Sequence, residues 1–118
     1  MSIEFRHINL AYLEHVTEGD RAMQRDLLNV LVRELQTDIP ALRAHLDAGR
    51  WRELADLSHR LRSSLAFAGN ERVTWVDTQI EHLAETEGNR GELPGLLAEL
   101  EAAVPSLVAE LQVAAAAP

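Results

Sequence analysis

Ser58-His59-Arg60-Leu61-Arg62-Ser63-Ser64-Leu65-Ala66-Phe67-Ala68-Gly69, near the middle of the chain, sets one histidine in a helical pattern between arginines and small residues. At about 100° per residue, Leu54, Leu57, Leu61, Leu65 and Ala68 fall within roughly 80° of one another and form a core stripe. His59 stands about 160° from the centre of that stripe, so it is expected to face water. Ala55 one turn before it, Ser63 one turn after and Ala66 two turns after are expected beside it on the outer face. Arg62, at i+3, is within side-chain reach. The pattern predicts an accessible imidazole on a low surface with a cation at its side.

The helical period continues on both sides. Ile8 to Val16 predicts a short helix with Leu10, Leu13 and Val16 inward, after a lead-in, Met1 to His7, without period. Gly19 is a stop and Asp20 an N-cap for the next helix. Met23, Leu27, Leu28, Leu31, Val32 and Leu35 then mark one face, which resumes at Ile39, Leu42 and Leu46. Pro40 lies inside that span, which predicts one long helix kinked there or two helices in tandem. Gly49 ends it. The central helix is expected over about Arg50 to Ala68, closed by Gly69-Asn70, both tolerant of left-handed dihedrals. Val73, Val76, Ile80 and Leu83 give a further helix from about Arg72 to Glu85. After the loop Glu87 to Gly91, Pro94 suits the first turn of a last helix. Its face is Leu93, Leu97, Leu100, Val104, Leu107 and Leu111, and Pro105 is a candidate bend. The tail from Ala114 to Pro118 is expected to fray. No segment alternates with period two. The expected fold is all-α: an antiparallel four-helix bundle with a short additional N-terminal helix, in one domain over 1–118 with its core at about 8–112.

The 118 residues and 47% hydrophobic content suit one core. Without cysteine there is no disulfide or thiolate metal site. Glu4 and Arg6 break any signal-peptide pattern, and no apolar run reaches the roughly 18 residues that cross a membrane. A cytoplasmic protein is the expectation. The net charge of −8 argues against nucleic acid and against an anionic membrane surface. All eleven basic residues are arginine. Arg50, Arg52, Arg60 and Arg62 cluster around His59, a basic patch that suits an anionic or phosphorylated partner.

Asp56-Leu57-Ser58-His59-Arg60-Leu61-Arg62-Ser63-Ser64, followed by Gly69, resembles the histidine-containing phosphotransfer (HPt) family. Its signature is a small residue, His, any residue, Leu, Lys, Gly, Ser or Ala, and a Gly ten residues after the His. Leu10-Ala11-Tyr12-Leu13 with Gly19-Asp20 resembles the family's N-terminal helix and turn. Gly49-Arg50-Trp51 resembles the approach to its histidine helix, and Ile80-Glu81 the Leu-Glu of the next one. The resemblance covers roughly residues 8 to 112. The family's lysine is Arg62 here, a planar fork in place of a point charge, and its usual glycine is Ser63.

The resemblance implies a phosphoryl carrier in a two-component relay rather than an enzyme. His59 would accept the group from a receiver-domain aspartate and yield it to another. An imidazole in water is largely unprotonated at pH 7, the form that attacks. Arg62 would offset charge on the phosphoryl oxygens, and Ser63 would add a hydrogen bond. Asp56 is expected to pair with Arg60 at i+4. Ala55, Ala66, Arg52 and Gln79 are the expected partner-binding residues, for response-regulator receivers and a hybrid sensor kinase. A monomer and a free-standing module are expected. The receiver would bring Mg²⁺, so no cofactor or metal is expected on this chain, and no Gly-rich phosphate loop is present. Glu4-x-x-His7 and Asp56-x-x-His59 are too few and too scattered for a bundle metal site. Trp51 and Trp75 read as core or edge packing. His7, His15, His45 and His82 lack the motif's context. The alternative function is an HPt-like adaptor or inhibitor that binds a receiver or kinase without phosphotransfer.

Overall fold

The computed structural model describes residues 4–118, so Met1 to Ile3 of the expected lead-in lie outside the described residues. The described chain is helical, with no strand: α1 Ala11–Thr17, α2 Arg21–Asp47, α3 Trp51–Ala68, α4 Glu71–Glu85, a 3-10 turn at Arg90–Glu92 and α5 Leu93–Ala116. The four long helices close into a ring in which α3 packs on α2 and α4, and α5 packs on α2 and α4. The molecule measures 49 × 21 × 20 Å, about two helix diameters across. No helix among the described residues is long and apolar enough to cross a membrane.

The connections follow from local chemistry. Asp20 caps α2 by accepting from the Met23 N–H at 3.1 Å, and Asn70 caps α4 by accepting from the Val73 N–H at 3.0 Å. Arg21, at the start of α2, donates to the Ala114 and Ala117 carbonyls at the end of α5, while Arg43 near the end of α2 meets Glu101 early in α5. These two helices therefore run in opposite directions.

Leucine dominates the core: Leu28, Leu31, Leu35, Leu42, Leu54, Leu61, Leu65, Leu97 and Leu100 are all fully buried. Several positions differ from the sequence reading. α2 is one continuous helix through Pro40; the proline is exposed, so it removes one backbone donor without burying an unpaired group. Met23 faces solvent and Gln24 is buried in its place, because its Nε2 donates to Thr17 Oγ1 at 3.0 Å and ties α2 to α1. Val16 is exposed, since α1 is a short cap that Leu13 and Thr17 turn inward. The tail does not fray at Ala114. Ala114 and Ala115 are buried and α5 runs to Ala116, because Arg21 and Arg25 satisfy its last carbonyls.

Gly69 closes α3 with φ at +64°, and a Cβ there would lie 2.1 Å from the Asn9 carbonyl oxygen. The Asn9 N–H donates to the Ala68 carbonyl at 2.8 Å, so the lead-in strand of chain is clamped onto the end of α3. Gly49 has a similar φ of +69° but only the Trp51 ring nearby, at 3.8 Å. Gly49→Ala is therefore expected to cost about 1–2 kcal/mol from backbone strain alone. Gly69→Ala adds a backbone clash and is expected to cost more, beyond about 3 kcal/mol. Chemical denaturation of both variants checks the order; equal losses would show that the Asn9 contact yields freely.

Candidate functional site

The α3 stripe of Leu54, Leu57, Leu61 and Leu65 is buried, which turns the opposite face outward. His59 stands on that face with its side chain 69% exposed. The ring is not free on both sides. Its Nδ1 lies 2.8 Å from Oε2 of Glu81, a residue of α4 whose side chain is only 14% exposed. Glu81 Oε1 in turn pairs with Arg62 Nη2. One carboxylate thus joins the imidazole and the guanidinium.

Beneath this pair lies a second carboxylate. Asp77, one turn before Glu81 on α4, is fully buried. Ser58 is fully buried opposite it, and its hydroxyl lies 2.7 Å from Asp77 Oδ1 and 2.8 Å from the Asp77 carbonyl. The other carboxylate oxygen, Oδ2, has no hydrogen-bond partner and faces the similarly unpartnered Arg62 Nε at 4.0 Å. Burial pushes the Asp77 carboxyl up to about 6, against the pull of the Ser58 hydrogen bond and the Arg62 charge.

The expected site residues divide. His59, Arg62 and Ser63 come together on α3, with Ser63 exposed and its hydroxyl 3.4 Å from the Arg60 carbonyl. Arg62 does not stand free beside the imidazole; it leans into the α3/α4 seam and holds carboxylates. Arg52 is exposed two turns before His59, and Ala66 is half-buried two turns after it. Ala55 is buried, not part of the outer face, because it lies at the floor of a groove that α3 shares with Ala84 and Glu85 of α4. Gln79 does not join the site. It lies about 160° around α4 from Glu81, in a groove with Trp75, Leu83 and Leu96 of the α4/α5 side. Asp56 and Arg60 form no ion pair, and Arg50 instead donates from Nε to His45 Nδ1 at 3.0 Å. Trp51 sits at the core edge under Arg90, whereas Trp75 is 48% exposed with Arg72 over its ring.

The sequence reading passed over Asp77 and the buried role of Ser58. The signal was present: Asp77 interrupts the apolar face of Val73, Val76 and Ile80, and a carboxylate in such a stripe needs a partner. Glu81 carried the resemblance without a role.

A family model described as Hpt domain matches residues 26–114, most of the chain. No curated protein and no solved structure matches it.

The buried carboxyl makes stability depend on pH. Folded Asp77 keeps its proton up to a pH of about 6, against an ordinary value of 3.8. The folded state therefore binds more protons between those values, and stability falls as pH rises through them. The full penalty above the window is on the order of 3 kcal/mol. Asp77→Asn keeps the shape without the charge. Its stability relative to wild type is expected to rise from pH 4 to 7, and urea denaturation across that range measures the difference. Glu99 and Glu101, held low by hydrogen bonds to Arg72 and Arg43, titrate alike in both proteins and cancel. Parallel curves would show that Asp77 is not the group responsible.

Proposed function

The chain belongs to the Hpt domain family, and we propose that His59 is its phosphorylated residue, taking a phosphoryl group from one receiver-domain aspartate and passing it to another. Membership supports a part in two-component phosphotransfer, and the carrier role follows from this reading of His59. The observation that supports His59 is its pairing: Nδ1 against Glu81 at 2.8 Å on a ring otherwise open to solvent.

A carboxylate beside Nδ1 accepts a hydrogen bond from Nδ1–H, which leaves the lone pair on Nε2. That nitrogen attacks the phosphorus of the receiver's aspartyl phosphate. The Nε2–P bond forms as the P–O bond to the aspartate breaks, and the aspartate leaves as a carboxylate. The ring becomes cationic with its proton still on Nδ1, facing Glu81, which stabilises that charge. Transfer to the next receiver runs the same steps backward.

In this reading the N–H groups of Arg62 not held by Glu81 meet the phosphoryl oxygens, and Ser63 adds a hydroxyl. Ser63 and Ala66 keep the surface low, so a receiver pocket can close on the ring. Exposed Tyr12 and Trp75 flank Ala66 in a shallow apolar groove about 10 Å along α3 from His59. With Arg52 on the other side, they offer a docking face for a transient complex of at most about 1,200 Å². Response-regulator receivers are the partners, with a hybrid sensor kinase as a further donor. The receiver supplies Mg²⁺; no metal, cofactor, nucleic acid or membrane is assigned to this chain. It acts as a cytoplasmic monomer with one domain over 1–118.

Incubation with a phosphorylated receiver is expected to give acid-labile, base-stable label on the wild type and none on His59→Gln. Label on the variant would remove His59 from the centre of the reading. Receiver binding without label on the wild type would favour the adaptor or inhibitor role. Glu81→Ala is expected to slow uptake by roughly 100-fold, the lower range of what a positioned acid–base partner contributes; an unchanged rate would sink its part in the mechanism.

A further inference from the structure

The α3/α4 seam holds two carboxylates and one guanidinium. Asp77 is fully buried and Glu81 nearly so, and Arg62 lies between them. The charged and polar groups acting on Asp77 are Ser58, His59 and Arg62 from α3 and Glu81 from its own helix. Arg62 is thus the permanent cation of the cluster, and it is shared.

We propose that Asp77, keyed by Ser58, is a positioning residue for His59 that acts through Arg62: by drawing the guanidinium partly to itself, it leaves Glu81 enough uncancelled charge to hold the Nδ1–H tautomer. This rests on the phosphotransfer reading of His59.

Ser58 has one hydroxyl proton and two acceptors, both on Asp77, so it anchors Oδ1 and the backbone together. That anchoring leaves Oδ2 aimed at Arg62 Nε, 4.0 Å away, with neither atom otherwise paired. The guanidinium therefore grips Glu81 through Nη2 while its Nε stays turned toward Asp77. A fork freed from Asp77 would close on Glu81 with two parallel N–H bonds, its strongest geometry with a carboxylate. Glu81 would then be neutralised and its hold on the imidazole weakened. The ring would shift toward the Nε2–H tautomer, whose exposed nitrogen has no lone pair for phosphorus.

The test uses the full chain labelled with ¹⁵N at pH 7.5, where Asp77 is largely ionised. The His59 ring-nitrogen shifts report the tautomer, and uptake from a phosphorylated receiver reports transfer. Asp77→Asn preserves volume and removes a buried charge, so it is expected to fold. It should lose the Nδ1–H preference and take up phosphoryl several-fold more slowly. Ser58→Ala, as a second variant, should move the tautomer in the same direction by less. Arg62→Gln combined with Asp77→Asn removes both opposing charges and should restore the wild-type tautomer, which a merely structural role for Asp77 would not do.

Wild-type spectra and rates in both single variants overturn the proposal. So does a double variant whose tautomer stays where Asp77→Asn left it. A wild-type chain that accepts no phosphoryl group overturns the phosphotransfer reading instead, and the ring-nitrogen spectra then decide on Asp77 by themselves.

Discussion

Glu81 answers to two neighbours at once, through Oε2 to the His59 ring and through Oε1 to the Arg62 guanidinium. The carboxylate belongs to α4 and both neighbours to α3, so the site exists only while these helices keep their register. That register is set twice. Apolar packing of α3 on α4, with Leu57, Leu61, Leu65, Val73, Val76 and Ile80 in their common core, supplies a contact that is strong but tolerant of small slides. The Ser58 hydroxyl, held by two oxygens of Asp77, supplies one that is directional. A slide of one residue would take Ser58 off Asp77 and His59 off Glu81 together.

Most of the fold was legible because leucine periodicity is a strong signal and the breaks are chemically plain. Asp20 and Asn70 cap as their residue types suggest, and Gly49 and Gly69 take left-handed dihedrals. The errors fall where a polar side chain replaced an apolar one in the core, as Gln24 displaced Met23, or where a distant arginine completed a helix end, as at Ala114. Neither can be read from period alone, because each depends on a partner many positions away. The site divides in the same way. A helical wheel turns His59 outward correctly, since one helix decides it. It misplaces Ala55 and Gln79, since only the neighbouring helix decides whether a position at the edge of a face is covered.

The end of α3 shows how a motif glycine can serve the site from a distance. Gly69 lies ten positions beyond His59 and touches none of its partners. It lets the Asn9 carbonyl come within 2.1 Å of where a Cβ would stand. It also lets α4 begin after two residues, with Asn70 capping α4 and donating to the His7 carbonyl at 2.8 Å. The tight turn fixes where α4 starts. Glu81 therefore arrives opposite His59 at a height set by the turn as well as by core packing.

Arginine in place of lysine at position 62 acquires a physical sense from this arrangement. A lysine ammonium is a compact, strongly hydrated point charge, best placed when it reaches water or a ligand directly. A guanidinium is planar and less hydrated and presents donors on two edges, so it can lie half-buried between two carboxylates. The Arg62 side chain is 32% exposed, with Nη2 on Glu81 and Nε toward Asp77. A lysine of similar reach would satisfy one carboxylate and leave the other buried without a counter-charge, at a cost of several kcal/mol. Arg62 and Asp77 are therefore physically coupled: the buried carboxylate is tolerable because the cation is a fork, and the fork lies sideways because the carboxylate is there.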